Sequence, residues 1–147
     1  MSDVVVVGAG SAGSTLAYSL AQHGIDGSLV EKSQLLRVKS CEGGLDDSFF
    51  NYVPEDVGVD PLVQGRAREI EARYEGAHRP TSLMPPQIAM TEHSQLNHFL
   101  LMEGQEMDVR VRQGARMERV DRRSDGTYEV RASGETIRAC VAVQRLT

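Results

Sequence analysis

Val4-Val5-Val6-Val7-Gly8-Ala9-Gly10-Ser11-Ala12-Gly13-Ser14 decides how the rest of this chain is read. Four β-branched residues in a row describe a strand buried on both faces, as in a parallel sheet. The run ends at Gly-x-Gly-x-x-Gly, and a helical pattern follows at once, with Ala12, Leu16, Ala17, Leu20 and Ala21 on one face. His23-Gly24 supplies the helix stop. Asp26-Gly27 turns the chain, and Ser28-Leu29-Val30 forms a second strand ending at Glu31.

Strand, glycine turn, helix, strand and acid in this order predict a dinucleotide-binding βαβ unit. Gly8 makes the tight turn, Gly10 lets a diphosphate approach the backbone, and Gly13 lets the helix pack close to the sheet. Gly8, Gly10, Ser11, Ala12 and Gly13 therefore form the candidate diphosphate cradle. Ser11 also suits a helix start, where its hydroxyl caps free amides. Glu31 follows Gly13 at close to the spacing of a carboxylate that accepts hydrogen bonds from adenosine ribose hydroxyls. A 2′-phosphate there would meet like charge, which disfavours NADP on this unit.

Composition bounds the rest. At 147 residues, with 40% hydrophobic and 25% charged residues, the chain carries one ordinary core rather than two comfortable domains. Net charge is −5 and no basic cluster points to nucleic acid. Cys41 and Cys140 make no disulfide framework, and neither sits in a close Cys/His pair, so no metal site is expected. No apolar run is long enough to span a membrane, and the start lacks the basic flank of a signal peptide. A reduced, cytoplasmic setting is expected.

After Glu31 the chain reads Lys32-Ser-Gln-Leu-Leu-Arg37-Val-Lys39-Ser-Cys41-Glu42-Gly43-Gly44-Leu45. From spacing alone this fits two descriptions equally. One is a solvated face with a flexible turn; the other is a basic loop folded over an anionic cofactor, its glycines allowing close backbone contact.

The N-terminal fingerprint, Glu31-Lys32 and then Arg37-x-Lys39-x-Cys41-x-Gly43-Gly44-Leu45 resemble the geranylgeranyl reductase family of FAD-dependent flavoproteins. That family sits within the wider aromatic-ring hydroxylase-like group. The resemblance covers nearly the whole chain but only the N-terminal part of such a protein. It implies FAD as cofactor, NAD(P)H as electron donor and an isoprenoid lipid as substrate, with peripheral contact to the membrane that holds it. It also adds Lys32, Arg37, Cys41, Gly43, Gly44 and His93 to the cofactor-binding residues. His93 opens His93-x-x-Leu96-Asn97-x-Phe99-Leu100, where the family has Arg-x-x-Phe-Asp-x-Phe-Leu. Ser11 replaces a usual proline and Glu42 a usual glycine. No catalytic acid or base is identified.

The expected fold is α/β. It is a Rossmann-like FAD-binding domain with a parallel sheet, a three-stranded antiparallel meander and a partial substrate-domain hairpin. Residues 1–147 form an incomplete domain, with 46–90 an excursion into a partial substrate-binding region. Asp46 to Pro61 reads as a short amphipathic helix and an acidic turn, its aromatics serving local packing. Leu62 to Leu83 alternates as a hairpin about Glu75-Gly76, and Ile88-Ala89-Met90 resumes an extended segment. Thr91 to Gly104 has helical spacing, with Gly104 as its stop, and Asp108 to Arg112 is a third parallel strand. Ala115–Arg122, Thr127–Ala132 and Glu135–Cys140 form the meander, turning at Ser124-Asp125-Gly126 and Ser133-Gly134; Ala139 to Val143 returns as a strand.

The Gly-Ala-Asp-Gly motif that follows in the family is not among these residues. The expectation is a fragment or truncated product, or a chain whose site a partner chain completes. Three functions stand beside one another at this point. One is the FAD-binding portion of a prenyl-saturating oxidoreductase. The second is a flavin monooxygenase or halogenase, which shares the fingerprint. The third is a truncated, non-catalytic nucleotide-binding module.

Overall fold

The computed structural model describes residues 1–35, 43–45, 47–53, 57–82 and 88–144. In chain order the elements are β1 (Ser2–Val7), α1 (Ser11–Gln22), β2 (Gly27–Glu31), β3 (Gly44–Leu45), α2 (Asp47–Phe50) and β4 (Val63–Ala67). There follow β5 (Glu69–Tyr74), β6 (Ala77–Ser82), β7 (Ile88–Thr91), α3 (His93–Glu106), β8 (Arg110–Gln113), β9 (Met117–Arg122), β10 (Tyr128–Ala132) and β11 (Glu135–Gln144). The chain divides into two units: Met1–Val38 with Asn97–Thr147, and Lys39–Leu96.

In the first unit the valine run behaves as its pattern requires. Val6 packs with Ala9, Ala17, Leu29, Leu101 and Val109, on the side that α1 covers. Val5 packs on the other side with Val30, Val130, Ala132, Ile137 and Ala139. Both faces of β1 are thus dry, and an alternating sequence could not satisfy them. Leu29, Val5 and Leu101 are wholly buried. Each such side chain contributes roughly 1.5–3 kcal/mol relative to exposure.

One six-stranded sheet runs β8-β2-β1-β11-β10-β9. β8, β2 and β1 are parallel to one another. The expected meander is present as β9, β10 and the first half of β11, and it extends this sheet. The separate returning strand is not separate. Glu135–Gln144 is one continuous strand whose first half pairs antiparallel with β10 and whose second half pairs parallel with β1. Ala139 is the residue where pairing changes hands, matched to Tyr128 on one side and Ser2 on the other. Its small, fully buried side chain lets both neighbours close in.

Helix ends explain two shifted boundaries. α1 closes as expected: Gly24 is left-handed (φ +67°), Gly24 N–H donates to Ala21 O and Ile25 N–H to Leu20 O. α3 does not stop at Gly104 but runs on to Glu106. It ends with the same pair of bonds, Asp108 N–H to Gln105 O and Val109 N–H to Gly104 O, with Asp108 taking the left-handed position (φ +71°). β8 accordingly begins at Arg110, because Asp108 and Val109 are spent closing the helix. Gly104 lies where α3 passes α1: a Cβ there would sit 3.7 Å from Tyr18 Cα, in ordinary van der Waals contact.

The second unit holds two small sheets, β3-β7-β4 and β5-β6, both antiparallel. The hairpin expected across residues 62–83 is realised only by β5 and β6, turning at Glu75-Gly76 with both residues left-handed. The preceding residues of that stretch form β4, which pairs with β7 instead. Phe49 and Phe50 meet edge to face at 5.5 Å, and the Arg66 guanidinium lies 5.9 Å from the Phe50 ring centre. These aromatics serve local packing, as their sequence context suggested.

Candidate functional site: a dinucleotide cradle

Where β1 ends, three glycines do three different things. Gly8 has φ +102°, a conformation that other residues rarely adopt, and its N–H donates to Val30 O at 2.8 Å, tying the exits of β1 and β2 together. Gly13 faces the opposite constraint: a Cβ would fall on the Gly8 carbonyl, so only hydrogen lets α1 start this close to the turn. Gly10 has neither reason. Its backbone is ordinary extended (φ −76°, ψ 179°), and among the described residues, its chain neighbours aside, no atom lies within 4 Å of where its Cβ would be. Those residues leave the space over Gly10 open.

The start of α1 is correspondingly unfilled. Gly10 is the cap residue, no side chain caps the helix and no acidic side chain lies in its first turn. The first amides of any α-helix lack intrahelical acceptors, and the helix dipole adds partial positive charge there. Ser14, wholly buried, sets the turn: its N–H donates to Gly10 O at 2.9 Å and its hydroxyl to Ala9 O at 3.2 Å.

Glu31 stands at the mouth of this crossover. It is only 4% exposed, its Oε2 accepting the Ala9 N–H at 2.7 Å and its Oε1 the Ser33 N–H at 2.9 Å. A carboxylate is an acceptor group, the kind to which a sugar's hydroxyls donate. The loop after Glu31 is stitched to the exit of β8. Ala115 N–H donates to Glu31 O (2.9 Å), Leu35 N–H to Gln113 Oε1 (3.0 Å) and Gly114 N–H to Ser33 O (3.3 Å).

The structure therefore brings together Gly8, Gly10, Ser11, Ala12, Gly13 and Glu31, with exposed Lys32 beside the acid. Arg37 and Cys41, with Lys39 and Glu42, lie outside the described residues. Gly43 and Gly44 belong to the second unit, where their geometry has a local cause. Gly43 accepts the Thr91 N–H at 2.8 Å, is left-handed (φ +75°), and a Cβ on it would fall on Thr91 O. His93 is the first residue of α3 and is half-buried. Ala9, Ser14 and Gln113 were missed from sequence. Ser14 carried a signal, a hydroxyl next to the third glycine, whereas nothing local marks Gln113. Among the described residues no group of three or more His, Cys, Asp or Glu could hold a metal ion, and no helix is long and apolar enough to cross a membrane.

An uncharacterized protein of Methanosarcina barkeri (strain Fusaro / DSM 804) is 32% identical over 100 residues, which are 67% of this chain and 25% of that protein. The chain thus spans about a quarter of the length of the curated relative it matches. Among solved structures, Pseudomonas aeruginosa PqsL in complex with 2-aminobenzoylacetate superposes with a TM-score of 0.74 at 25% identity, over 96% of this chain and 41% of that one. The halogenase PltM in complex with phloroglucinol and FAD has a TM-score of 0.74 at 17% identity, over 99% of this chain and 34% of that one. The second likeness shows the fold alone. Open amides, a glycine with open space beside it among the described residues and a buried acid suit the diphosphate and ribose of a flavin dinucleotide. With a family model described as an FAD-binding domain matching residues 1–142, the chain belongs to the FAD-binding domain family.

Proposed function

We propose that this chain is the nucleotide-binding portion of a flavin-dependent oxidoreductase that saturates prenyl double bonds of isoprenoid lipids. NAD(P)H and a proton are consumed for each C=C converted to CH–CH. The observation that carries the binding half is the open space over Gly10, next to uncapped helix amides and within reach of Glu31. The choice of reaction rests on the likeness of Arg37-x-Lys39-x-Cys41-x-Gly43-Gly44-Leu45 to the geranylgeranyl reductases. FAD, when bound, supplies the two-electron chemistry. The chain's own residues hold it: the amides of Ser11, Ala12 and Gly13 take the diphosphate, and Glu31 takes the adenosine ribose. Lys32, Arg37, Cys41, Gly43, Gly44 and His93 complete the proposed cofactor set. A partner chain or further polypeptide completes the substrate half.

Monooxygenase or halogenase chemistry, which shares the fingerprint, is the second reading, and the halogenase PltM has the same fold. The two part company on what reoxidises the reduced flavin. Anaerobic reoxidation by a geranylgeranyl-bearing lipid supports the reductase. Peroxide and a hydroxylated or halogenated product, formed only with oxygen, support the alternative. Binding itself is tested by Gly10→Val. A Cβ there meets none of the described residues, so circular dichroism stays native and stability in thermal unfolding falls only by about 1 kcal/mol, for a β-branched residue in place of glycine at the helix cap. It stands where the diphosphate must come, so FAD affinity falls by roughly 100-fold or more, the value of two or more charge-assisted bonds. Unchanged FAD binding by a folded Gly10→Val protein rejects the cradle.

A further inference from the structure

Among the described residues of the first unit, three buried side-chain polar atoms meet no hydrogen-bond partner: Asn97 Oδ1, His98 Nδ1 and Arg112 Nη1. Asn97 Oδ1, in the second turn of α3, is buried and meets no hydrogen-bond partner. A buried acceptor without a donor is costly, and native structures keep few of them unless a ligand or a water arrives. Its place on α3 is informative. Gly104 marks the stripe of α3 that faces α1, because a Cβ on it would meet Tyr18 Cα and N. Asn97 lies two helical turns before Gly104 and so falls on that same stripe. Ser11, the first residue of α1, likewise lies two turns before Tyr18.

The two helices run in the same direction, since each leads into one of the parallel pair β2 and β8. Two turns back from the Gly104–Tyr18 contact, about 10 Å along either helix, Asn97 is therefore level with the first turn of α1. That is the turn whose amides form the cradle. Leu101, one turn on, is wholly buried in the core against Ala17 and Leu29, which fixes this stripe of the helix.

The chemistry of the ligand then narrows what Asn97 can receive. A diphosphate has no donor at neutral pH. The adenosine hydroxyls are assigned to Glu31 at the exit of β2. The remaining donors of FAD near the cradle are the hydroxyls of its ribityl chain. A hydroxyl also suits the carboxamide in either orientation, since it can donate to the oxygen or accept from the nitrogen. We infer that Asn97 binds a ribityl hydroxyl of FAD, and so helps the site prefer the flavin dinucleotide to ligands that end at the diphosphate. The inference rests on the assignment of this chain as an FAD-binding domain.

The test compares two ligands on the full chain. FAD affinity is read from quenching of flavin fluorescence, ADP affinity from titration calorimetry, and the outcome is the ratio of the two. Asn97→Leu lowers that ratio about tenfold, the value of one hydrogen bond, while ADP affinity holds. Asn97→Asp keeps an acceptor of the same size. Any repulsion of the diphosphate acts on both ligands and cancels, so its ratio stays within about threefold of wild type. Should Asn97→Leu fail to fold, Asn97→Ala removes the carboxamide without inserting bulk and reads the same ratio. Equal weakening of both ligands, or no weakening of FAD, overturns the assignment and leaves Asn97 a structural residue. Wild-type protein that binds ADP but not FAD overturns it as well. Binding of neither ligand places the failure at the cradle.

Discussion

The two ends of the parallel strands β8, β2 and β1 treat their polar groups in opposite ways. At the amino ends of the strands everything is closed. Ser2 and Ser28, 3% and 1% exposed, share a hydroxyl–hydroxyl bond of 2.8 Å. Arg110 reaches across from β8 to donate to Ser2 Oγ, to Ser28 Oγ and to the Asp26 carboxylate. Asp3 Oδ2 accepts the Asp26 N–H. Both helices above this end close with backbone bonds, to Leu20 O and Ala21 O in α1 and to Gly104 O and Gln105 O in α3. At the carboxyl ends the same unit, among the described residues, leaves groups open: α1 has no side-chain cap, Gly10 faces open space, and Asn97 Oδ1 is buried without a partner. A saturated network contributes stability and register. An unsaturated one costs stability, and it makes sense where a ligand supplies the missing partners.

The strongest way to break this contrast is Gly13→Val. It adds bulk where the Gly8 carbonyl already sits, so backbone rather than a flexible side chain must move. The cost exceeds the roughly 1–3 kcal/mol of ordinary overpacking, and both folding and FAD binding are lost. A thermal melt with FAD titration checks it. A stable Gly13→Val protein that binds FAD would show that the turn is not the rigid element described.

Next in size is Glu31→Ala. It removes the acceptor proposed for the ribose and leaves the buried Ala9 N–H without its 2.7 Å partner. FAD affinity falls roughly 100-fold, and stability by about 1–3 kcal/mol for the orphaned donor. Affinity unchanged beyond the stability effect would place the ribose elsewhere. Arg110→Met tests the closed end in the same units. It keeps much of the aliphatic stem but breaks the link among Ser2, Ser28 and Asp26. Stability falls by about 1–3 kcal/mol by urea unfolding, while FAD affinity stays within twofold. A matching loss of FAD affinity would mean the two ends are energetically coupled, and the division of labour would fail.

What the sequence disclosed, and what it withheld, follows the range of the interactions. The βαβ unit was legible because each part is local: a β-branched run, glycines at fixed offsets, a left-handed Gly24, an acid at the end of the next strand. Glu31 was placed correctly for the same reason. The stop of α3 was misread because Gly104 resembles a terminator, while it lies inside the helix where α3 passes Tyr18 of α1. Asp108, which does end the helix, is a residue type that adopts a left-handed conformation less often than glycine. The fusion of two expected strands into β11 depends on Ala139 pairing with Tyr128 and Ser2 at once, partners far away in the chain. Gln113 had no local signal, since its carboxamide holds Leu35 across the exits of two strands. Asn97 was noted only by resemblance; its unpaired oxygen is a property of the fold.

A turn that belongs to neither end gives the smallest effect and the control for the rest. Asp125 sits between β9 and β10, where its Oδ1 accepts the Thr127 hydroxyl at 2.6 Å and the Thr127 N–H at 3.0 Å. The hydroxyl first, and then the amide, hold its carboxyl below the ordinary value of 3.8. A carboxylate favoured in the folded state contributes stability above its unfolded pKa. That contribution is complete above pH 3.8 and is lost as pH falls below it through the lowered folded value. Asp125→Ala removes both bonds, so the variant loses this part of the acid dependence while FAD affinity at neutral pH is unchanged. Proton resonances of the Thr127 amide, followed through the acid range, give the direct measure. A Thr127 amide that titrates at or above the ordinary aspartate value would remove the assigned cause. A change in FAD affinity on Asp125→Ala would show that even a distant turn reaches the cradle, and the separation of open and closed regions would have to be redrawn.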